Sequence, residues 1–531
     1  FAVVVCVVYE FRGIPMMAPD ILTVQTATSV MGNYTFKLTF EQYSVILVCM
    51  AFFFTFLRLH EVKVTEKRVF HIAGFIVVAL GCGLFTNQII LSDFMEEHQI
   101  NIRMFRPMES YQKYGGVLTF ARSVGYAVVK KPEGYTTAKV DQIIQEYEKK
   151  SANEQQSTAK QYPNIITVVN ETFADIKVLG DFKTNEDYMP YFHSLKKNCV
   201  TGYTYASIVG GQTANTEFEL LTGNTLGFLS AGTTAFQLYI HGQMPSLVSN
   251  LKAEGYSGNK AMHPFNPYNY NRPAVYKDFG FTDFIDKFDF PKNVKRVREY
   301  ISDEANVDRI ISEYEKNRKK TDQPFYMYNM TIQNHSPYDK DAANFKQPIK
   351  IESSKYDAEA NRYLNLIKYS DDSLKQLTGY FEKCKEPTII LFLGDHQPRL
   401  TDEFMNKITN GQYQTWSSEQ MMKRYQVPFV IWANYDIKEQ HIEKTSMNYI
   451  QSILTKTAGV KMTGYQRFLN EVRKEVPTIT SQGYWGKNGK FYQINDKGSP
   501  YYGIIQKYRM IQYNMMFDKK NRRDSFFEVS K

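Results

Sequence analysis

Two long apolar runs, Tyr43 to Leu59 and Phe70 to Leu91, constrain this chain more than any other feature. A helix needs roughly 20 predominantly apolar residues to cross the hydrocarbon core of a bilayer, and both runs approach that length. Two membrane-spanning helices are expected, with buried helices of a soluble protein as the alternative. The chain opens with Phe-Ala-Val-Val-Val-Cys-Val-Val-Tyr, too short an apolar stretch to cross a bilayer, which reads as the tail of a further span with upstream sequence missing. The connection between the two runs carries Arg58, Lys63, Lys67 and Arg68 against Glu61 and Glu66. Basic connections stay on the cytoplasmic side, which places everything after Leu91 outside.

Residues 92–162 read as a juxtamembrane linker. Within it, Thr137 to Lys150 has the spacing of a helix whose Val140, Ile143, Ile144 and Tyr147 share a face. The polar Ser151 to Lys160 marks a boundary. From Pro163 the pattern changes to short apolar runs alternating with helical stretches. Pro163 to Asn170, Pro324 to Ile332, Thr388 to Leu393 and Val427 to Trp432 are continuously apolar, as buried strands of a parallel sheet are. A long amphipathic helix, Ser354 to Lys383, separates the second from the third. The class is α/β, a central, mostly parallel sheet flanked by helices. The chain thus divides into a membrane segment (1–91, N-terminally incomplete), a linker with helices (92–162), a catalytic domain (163–464) and a C-terminal packing segment and tail (465–531).

Composition excludes little. The balance of 64 Lys plus Arg against 55 Asp plus Glu favours anionic partners such as phospholipid head groups. The basic residues are dispersed and no nucleic-acid motif stands out, so no nucleic-acid partner is expected. The 5 cysteines, Cys6, Cys49, Cys82, Cys199 and Cys384, form neither a disulfide framework nor a zinc pattern, and unlinked thiols are expected.

Open α/β sheets build their sites beyond the carboxyl ends of the strands. There the first run ends at Glu171, the second at Asn334-His335 and the third at Gly394-Asp395-His396. Two carboxylates and an imidazole make an oxygen and nitrogen site suited to Mn²⁺, Mg²⁺ or Zn²⁺. Taken singly, each residue reads equally as a cap or loop residue. The candidate nucleophile lies in Gly210-Gly-Gln-Thr213-Ala-Asn-Thr-Glu-Phe, where glycines precede Thr213 and a helix start follows. A hydroxyl at a helix N-terminus that also ligates a cation has a lowered pKa. From this segment alone Thr213 reads as a helix N-cap.

Taken together and in order, Glu171, Thr213 in Gly-Gly-Gln-Thr-Ala-Asn-Thr-Glu-Phe, His335 in Asn-His-Ser-Pro-Tyr and Asp395-His396 in Leu-Gly-Asp-His resemble the motifs of the lipoteichoic acid synthase family. That family lies within the alkaline phosphatase and sulfatase superfamily. The resemblance covers about Asn164 to Asn434 and fits a membrane segment followed by an extracellular domain. It implies that Glu171, Thr213, Asp395 and His396 hold one divalent cation, Mn²⁺ or Mg²⁺, with Thr213 also the attacking group. It further implies that His263, Tyr270, Arg272 and His335 line a glycerol phosphate pocket, Arg272 clamping phosphate oxygens and Tyr270 packing on the glycerol. Gln212 stands where synthases have Lys, and Tyr270 where they have Trp.

The activity so implied is transfer of glycerol phosphate from phosphatidylglycerol to a teichoic-acid or glycolipid acceptor through a covalent Thr213 intermediate, releasing diacylglycerol. The implied location is the plasma membrane of a Gram-positive-type bacterium, with the catalytic domain outside. A phosphoethanolamine transferase or phosphodiesterase shares the same logic. A sulfatase needs a Cys or Ser in a Cys/Ser-x-Pro-x-Arg context that no cysteine here has. A catalytically inactive, membrane-tethered protein that binds teichoic acid or lipid is the alternative of a different class.

Overall fold

The computed structural model describes residues 5, 15–18, 40–58, 68–92, 94–98, 100, 107–127, 129–151, 161–230, 233–352, 358–411 and 413–529. The apolar opening apart from Val5, the basic connection at 59–67 and the polar stretch at 152–160 lie outside the described residues. The chain forms two compact units, Phe1–Lys130 with Ser230–Tyr239, and Lys131–Leu229 with Ile240–Lys531.

In the first unit, helices α1 (Phe40–Arg58) and α2 (Arg68–Phe85) account for the two apolar runs, and α2 continues into a π-helical turn at Thr86–Leu91. Side chains such as Phe52, Phe53, Phe75 and Val77 face outward. The sequence predicts two spans, but among the described residues only Ile72–Ile90 is long and apolar enough to cross a membrane. The strongly apolar part of α1 is Ile46–Thr55, because the sequence sets Glu41 and Gln42 near one end of the helix and Arg58 at the other. Helix α3 (Gly116–Ala127) packs where α2 ends: Arg122 Nη1 donates to the Ile90 carbonyl at 2.9 Å, and a Cβ on Gly125 would stand 2.4 Å from the same oxygen.

The second unit is the α/β body. In chain order its main elements are α4 (Thr137–Ser151), β1 (Asn164–Asn170), β2 (Cys199–Tyr205), α5 (Thr213–Thr222), β3 (Ser257–His263), α6 (Arg272–Phe279), β4 (Asp283–Asp286), α7 (Asp303–Arg318), β5 (Phe325–Met330), α8 (Ala358–Phe381), β6 (Thr388–Gly394), β7 (Gln426–Ala433), β8 (Gln440–Ser446), α9 (Gly464–Glu475) and α10 (Tyr502–Met516). The strands form one sheet in the order β8-β2-β7-β6-β1-β5-β3-β4. Strands β1, β5 and β6 are buried along their whole length, which is why they read as unbroken apolar runs. On one face Ile166, Val168, Met327 and Phe392 join Leu364, Leu374, Leu377 and Phe381 of α8 in a single apolar core.

The sheet is mostly parallel, as expected, with one exception. Strand β7, the run Val427 to Trp432, is antiparallel to both of its neighbours, β6 and β2. An apolar run carries no mark of direction, so burial could not reveal the reversal. All the other sheet strands point their carboxyl ends to one edge.

Helix α4, expected in the linker, packs on the α/β body: Tyr147 meets Phe468 of α9 with ring centroids 4.7 Å apart, and Lys507 of α10 pairs with Glu146 at 2.7 Å. The C-terminal helices in turn hold the end of α5. Tyr508 and Tyr465 hydroxyls donate to the Gly223 carbonyl at 2.5 and 2.9 Å, and Gln512 exchanges two hydrogen bonds with the Thr225 backbone. Among the described residues Cys49, Cys82, Cys199 and Cys384 are free thiols.

A single methyl group is poorly tolerated at Gly394, at the end of β6. A Cβ there would lie 1.8 Å from the Phe173 carbonyl oxygen and 2.9 Å from its carbon, so the backbones of β6 and of the loop after β1 meet with no room between them. Gly394→Ala is expected to cost about 2 kcal/mol or more through overpacking, read as a lowered thermal midpoint; an unchanged midpoint would show that the loop after β1 yields freely.

Candidate active site

The site begins with a register. Strands β1 and β6 run parallel with Val169 opposite Leu393 and Asn170 opposite Gly394, so the next residues, Glu171 and Asp395, leave the sheet side by side. Backbone groups then fix Asp395. Its Oδ1 accepts from the amides of Thr172 at 2.7 Å and His396 at 2.8 Å, which directs the other oxygen away from the chain. His396 is set in the same manner: its Nδ1 lies 2.9 Å from the Gln397 carbonyl. A carbonyl can only accept, so Nδ1 carries a proton, which leaves Nε2 as the ring nitrogen available to ligate a metal.

Glu171, Asp395 and His396 offer ligand atoms that all lie within 4.8 Å of one another. His396 Nε2 is 3.2 Å from Asp395 Oδ2 and 3.8 Å from Glu171 Oε1. All three residues are buried. Among the described residues, Asp395 Oδ2 and His396 Nε2 are buried polar atoms with no hydrogen-bond partner. Such atoms are costly unless something satisfies them. Burial, then the charge of Asp395, pushes the Glu171 carboxyl well above its ordinary range. Two crowded carboxylates and an imidazole lone pair, gathered toward one point, fit a divalent cation.

Thr213 is the first residue of α5, and its Oγ1 donates to Glu171 Oε2 at 3.4 Å. The turn before it needs left-handed backbone at Gly210 (φ 68°) and Gln212 (φ 65°), which accounts for a glycine there. The Gly210 amide donates to the Gln397 carbonyl at 2.9 Å, and Thr216 Oγ1 to the Asp395 carbonyl at 2.8 Å. The start of α5 is thus tied to the strand end that carries Asp395 and His396. No side chain caps α5, so Thr213 is not an N-cap: it lies inside the first turn with its hydroxyl at the carboxylates.

Of the residues expected to bind substrate, His263 ends β3, Arg272 opens α6 and His335 follows β5. His263 is buried, with Nδ1 3.0 Å from the Met330 carbonyl; burial and the Arg272 charge hold it well below the usual imidazole range, so it is neutral. Tyr270 sits in left-handed backbone (φ 59°) with the Arg272 guanidinium 5.1 Å from its ring centroid. His335 is exposed. Desolvation raises the pKa of the Tyr270 hydroxyl and lowers that of His335, with the Glu171 and Asp395 charges as lesser causes at Tyr270 and the Asp395 charge at His335, and His335 follows Asn334, whose amide reaches the Glu171 carbonyl.

Arg272 holds a surprise. The sequence reads it as a phosphate clamp or a surface charge, yet it is fully buried against a partner the sequence reading did not single out. Its Nε and Nη2 donate to Glu217 Oε1 at 3.1 and 2.7 Å, and Glu217 Oε2 accepts from Tyr276 at 2.5 Å and Tyr328 at 3.1 Å. Only Nη1 is lightly used, 3.5 Å from the Asn269 carbonyl. One edge of the guanidinium fork is therefore taken up by Glu217, and the other carries only the long contact to Asn269. Glu217 had a readable signal: it lies four residues after Thr213, on the same face of α5. Asn334 was also passed over for its neighbour His335. Its amide donates to the Glu171 carbonyl at 3.0 Å, to Asn170 Oδ1 at 3.1 Å and to Ser370 Oγ at 2.8 Å, bracing the loop after β1.

Two outcomes follow. Mn²⁺ titrated into the protein is expected to raise its thermal midpoint, and Asp395→Asn to weaken that binding by about 100-fold; equal binding by the variant would place the ion elsewhere. Glu217→Gln leaves Arg272 buried without its counter-charge, and a loss of about 3 kcal/mol in unfolding free energy is expected.

Comparison with known proteins agrees with this geometry. The sulfatase family profile matches residues 163–460, more than half of the chain. A Rhizobium meliloti protein whose name connects it to cyclic beta-1,2-glucan modification is 30% identical over 433 residues, covering 80% of this chain and 65% of its own length. The lipoteichoic acid synthase of Staphylococcus saprophyticus is 23% identical over 374 residues, covering 67% of this chain and 55% of that protein. The chain thus spans just over half to just under two thirds of these two relatives. Among solved structures, the Streptococcus pyogenes phosphoglycerol transferase in complex with sn-glycerol-1-phosphate superposes with a TM-score of 0.61 at 20% identity, over 76% of this chain and 100% of the other. With the profile spanning the sheet and the metal-type cluster lying inside it, the chain belongs to the sulfatase family and resembles the lipoteichoic acid synthases within the alkaline phosphatase and sulfatase superfamily.

Proposed function

We propose that this protein transfers glycerol phosphate from phosphatidylglycerol to an acceptor hydroxyl, by way of a covalent adduct on Thr213. The observation that carries this reading is a hydroxyl 3.4 Å from Glu171, beside two buried, unsatisfied ligand atoms on Asp395 and His396. Glu171, Asp395 and His396, with Thr213, hold one divalent cation, Mn²⁺ or Mg²⁺. When bound, it supplies positive charge that lowers the pKa of the hydroxyl and offsets charge on phosphoryl oxygens.

The chain's own residues do the rest. Thr213, aligned by its helix start, attacks phosphorus; the Oγ1–P bond forms, the P–O bond to diacylglycerol breaks, and the proton lost by Thr213 ends on the diacylglycerol hydroxyl. The Nη1 edge of Arg272 takes phosphoryl oxygens and Tyr270 packs on the glycerol. His335, exposed at the mouth, exchanges the proton with the leaving and then the entering oxygen. In the second step an acceptor hydroxyl attacks the same phosphorus and Thr213 leaves. The apolar stretch Ile72–Ile90 holds the enzyme at the membrane where its lipid donor resides, with the α/β body on the outer side.

A saccharide hydroxyl, on a glucan or a teichoic-acid glycolipid, is the acceptor supported by the names of the relatives. The family name does not carry sulfatase activity here, since Thr213 stands where formylglycine chemistry needs Cys or Ser.

Full-length protein with labelled phosphatidylglycerol and Mn²⁺ is expected to release diacylglycerol and accumulate a glycerophosphate adduct on Thr213. Thr213→Ala should lower release on the order of 10³-fold or more. Undiminished release by that variant sinks the mechanism, and consumption of phosphatidylethanolamine in place of phosphatidylglycerol would reassign the head group.

A further inference from the structure

Beside the cluster, the loops after β3, β4 and β5 carry a run of aromatic rings of which the transfer of glycerol phosphate uses only His335. Phe265 follows β3 by two residues. It lies nearly parallel to His335, centroids 6.4 Å apart and planes at 20°, and Tyr300 leans on both at 5.9 and 5.8 Å. Lys287, just after β4, extends the run outward. Its Nζ stands 5.9 Å from the Phe265 centroid and 4.9 Å from that of Phe288. Phe288 is 73% exposed, and Tyr268 in the same loop as Phe265 is 50% exposed.

This placement is built. Asp286 accepts from the Phe288 amide at 2.7 Å and Asp289 from the Asp286 amide at 2.9 Å, a reciprocal cap that holds Lys287 and Phe288 outward. Arg298 backs the run from below: its guanidinium lies 5.2 Å from the Tyr300 centroid and donates to the carbonyls of Gln333, His335 and Pro337 at 2.7 to 2.8 Å.

We infer that this aromatic run is the acceptor subsite and that its occupant is a neutral saccharide. The inference rests on the proposed transfer at Thr213 and adds the place where its saccharide acceptor binds and the neutral charge of that acceptor. Position favours it, because His335 belongs to the run and directly follows Asn334, whose side-chain amide donates to the Glu171 carbonyl at 3.0 Å, so a chain lying on the rings ends near the reacting group. Chemistry favours it as well. Aromatic faces are electron-rich and attract the polarised C–H groups of a sugar ring, while carboxylates and an ammonium at the rim suit hydroxyls. At the exposed Phe288 end of the run the two capping acids Asp286 and Asp289 outnumber Lys287, which disfavours a polyanion at that end.

The test uses the metal-loaded full-length protein and a neutral β-linked gluco-oligosaccharide as probe. Calorimetric titration is expected to show binding that Phe288→Ala weakens about fivefold to tenfold. In vesicles of phosphatidylglycerol, the same variant should release diacylglycerol to water at the wild-type rate while transfer of glycerol phosphate to the oligosaccharide falls by a similar factor. Tyr268→Ala provides a second, independent substitution. Saccharide binding that is absent in the wild type, or equal in the wild type and both variants, overturns the inference. So does loss of vesicle binding by Phe288→Ala, which would make the patch a membrane contact. If the wild type releases no diacylglycerol, the donor reading fails, and the titration alone still decides the subsite.

Discussion

Everything at this site depends on two parallel strands ending level with each other. The pairing of Asn170 with Gly394 brings Glu171 and Asp395 out of the sheet as neighbours, and two backbone amides on Asp395 Oδ1 keep the second oxygen aimed at the gap. A shift of one residue would send one carboxylate to the opposite face. The absence of a side chain at Gly394 is part of the same device, because the Phe173 carbonyl occupies the space a Cβ would take. Packing and chemistry are thus one constraint here.

A second layer holds the helix that carries Thr213. Its start is tied to the Asp395 strand end through Gly210 and Thr216, its middle bears Glu217 against Arg272, and the turn that follows it is gripped by Tyr465, Tyr508 and Gln512. The buried pair Arg272 and Glu217 is expensive to desolvate and is kept by four hydrogen bonds from Arg272, Tyr276 and Tyr328. It couples Arg272, at the start of α6, to the helix that carries Thr213. The C-terminal helices, which carry no motif, serve the site by immobilising this helix from its far end.

Chemistry and residue type were legible in order along the chain. Glu171, Thr213 and Asp395-His396 each follow a recognisable local pattern, an apolar strand or a glycine turn, and the structure brings all four together. Strand reversal at β7 was not legible, since Val427 to Trp432 is equally apolar in either direction. The role of Arg272 was only half legible: its guanidinium announces an anion partner, but that partner includes Glu217, whose burial depends on Tyr276 and Tyr328 arriving from α6 and β5. The helix Thr137–Ser151 was recognisable by its spacing, whereas its attachment to α9 and α10 was not, because a helix face says that it packs and not on what.

The sequence by itself determined the α/β class, the buried strands, one of the two membrane spans it led us to expect, and the four residues that the structure gathers at Glu171. These are local properties, written in periodicity and in the residues that end each strand. Tertiary structure decided the tautomer of His396, the orphaned oxygen of Asp395, the burial of Arg272 and the stacking of Phe265 on His335. Each of those depends on groups far apart along the chain meeting within a few ångströms, and no local pattern encodes which distant partner fills that space.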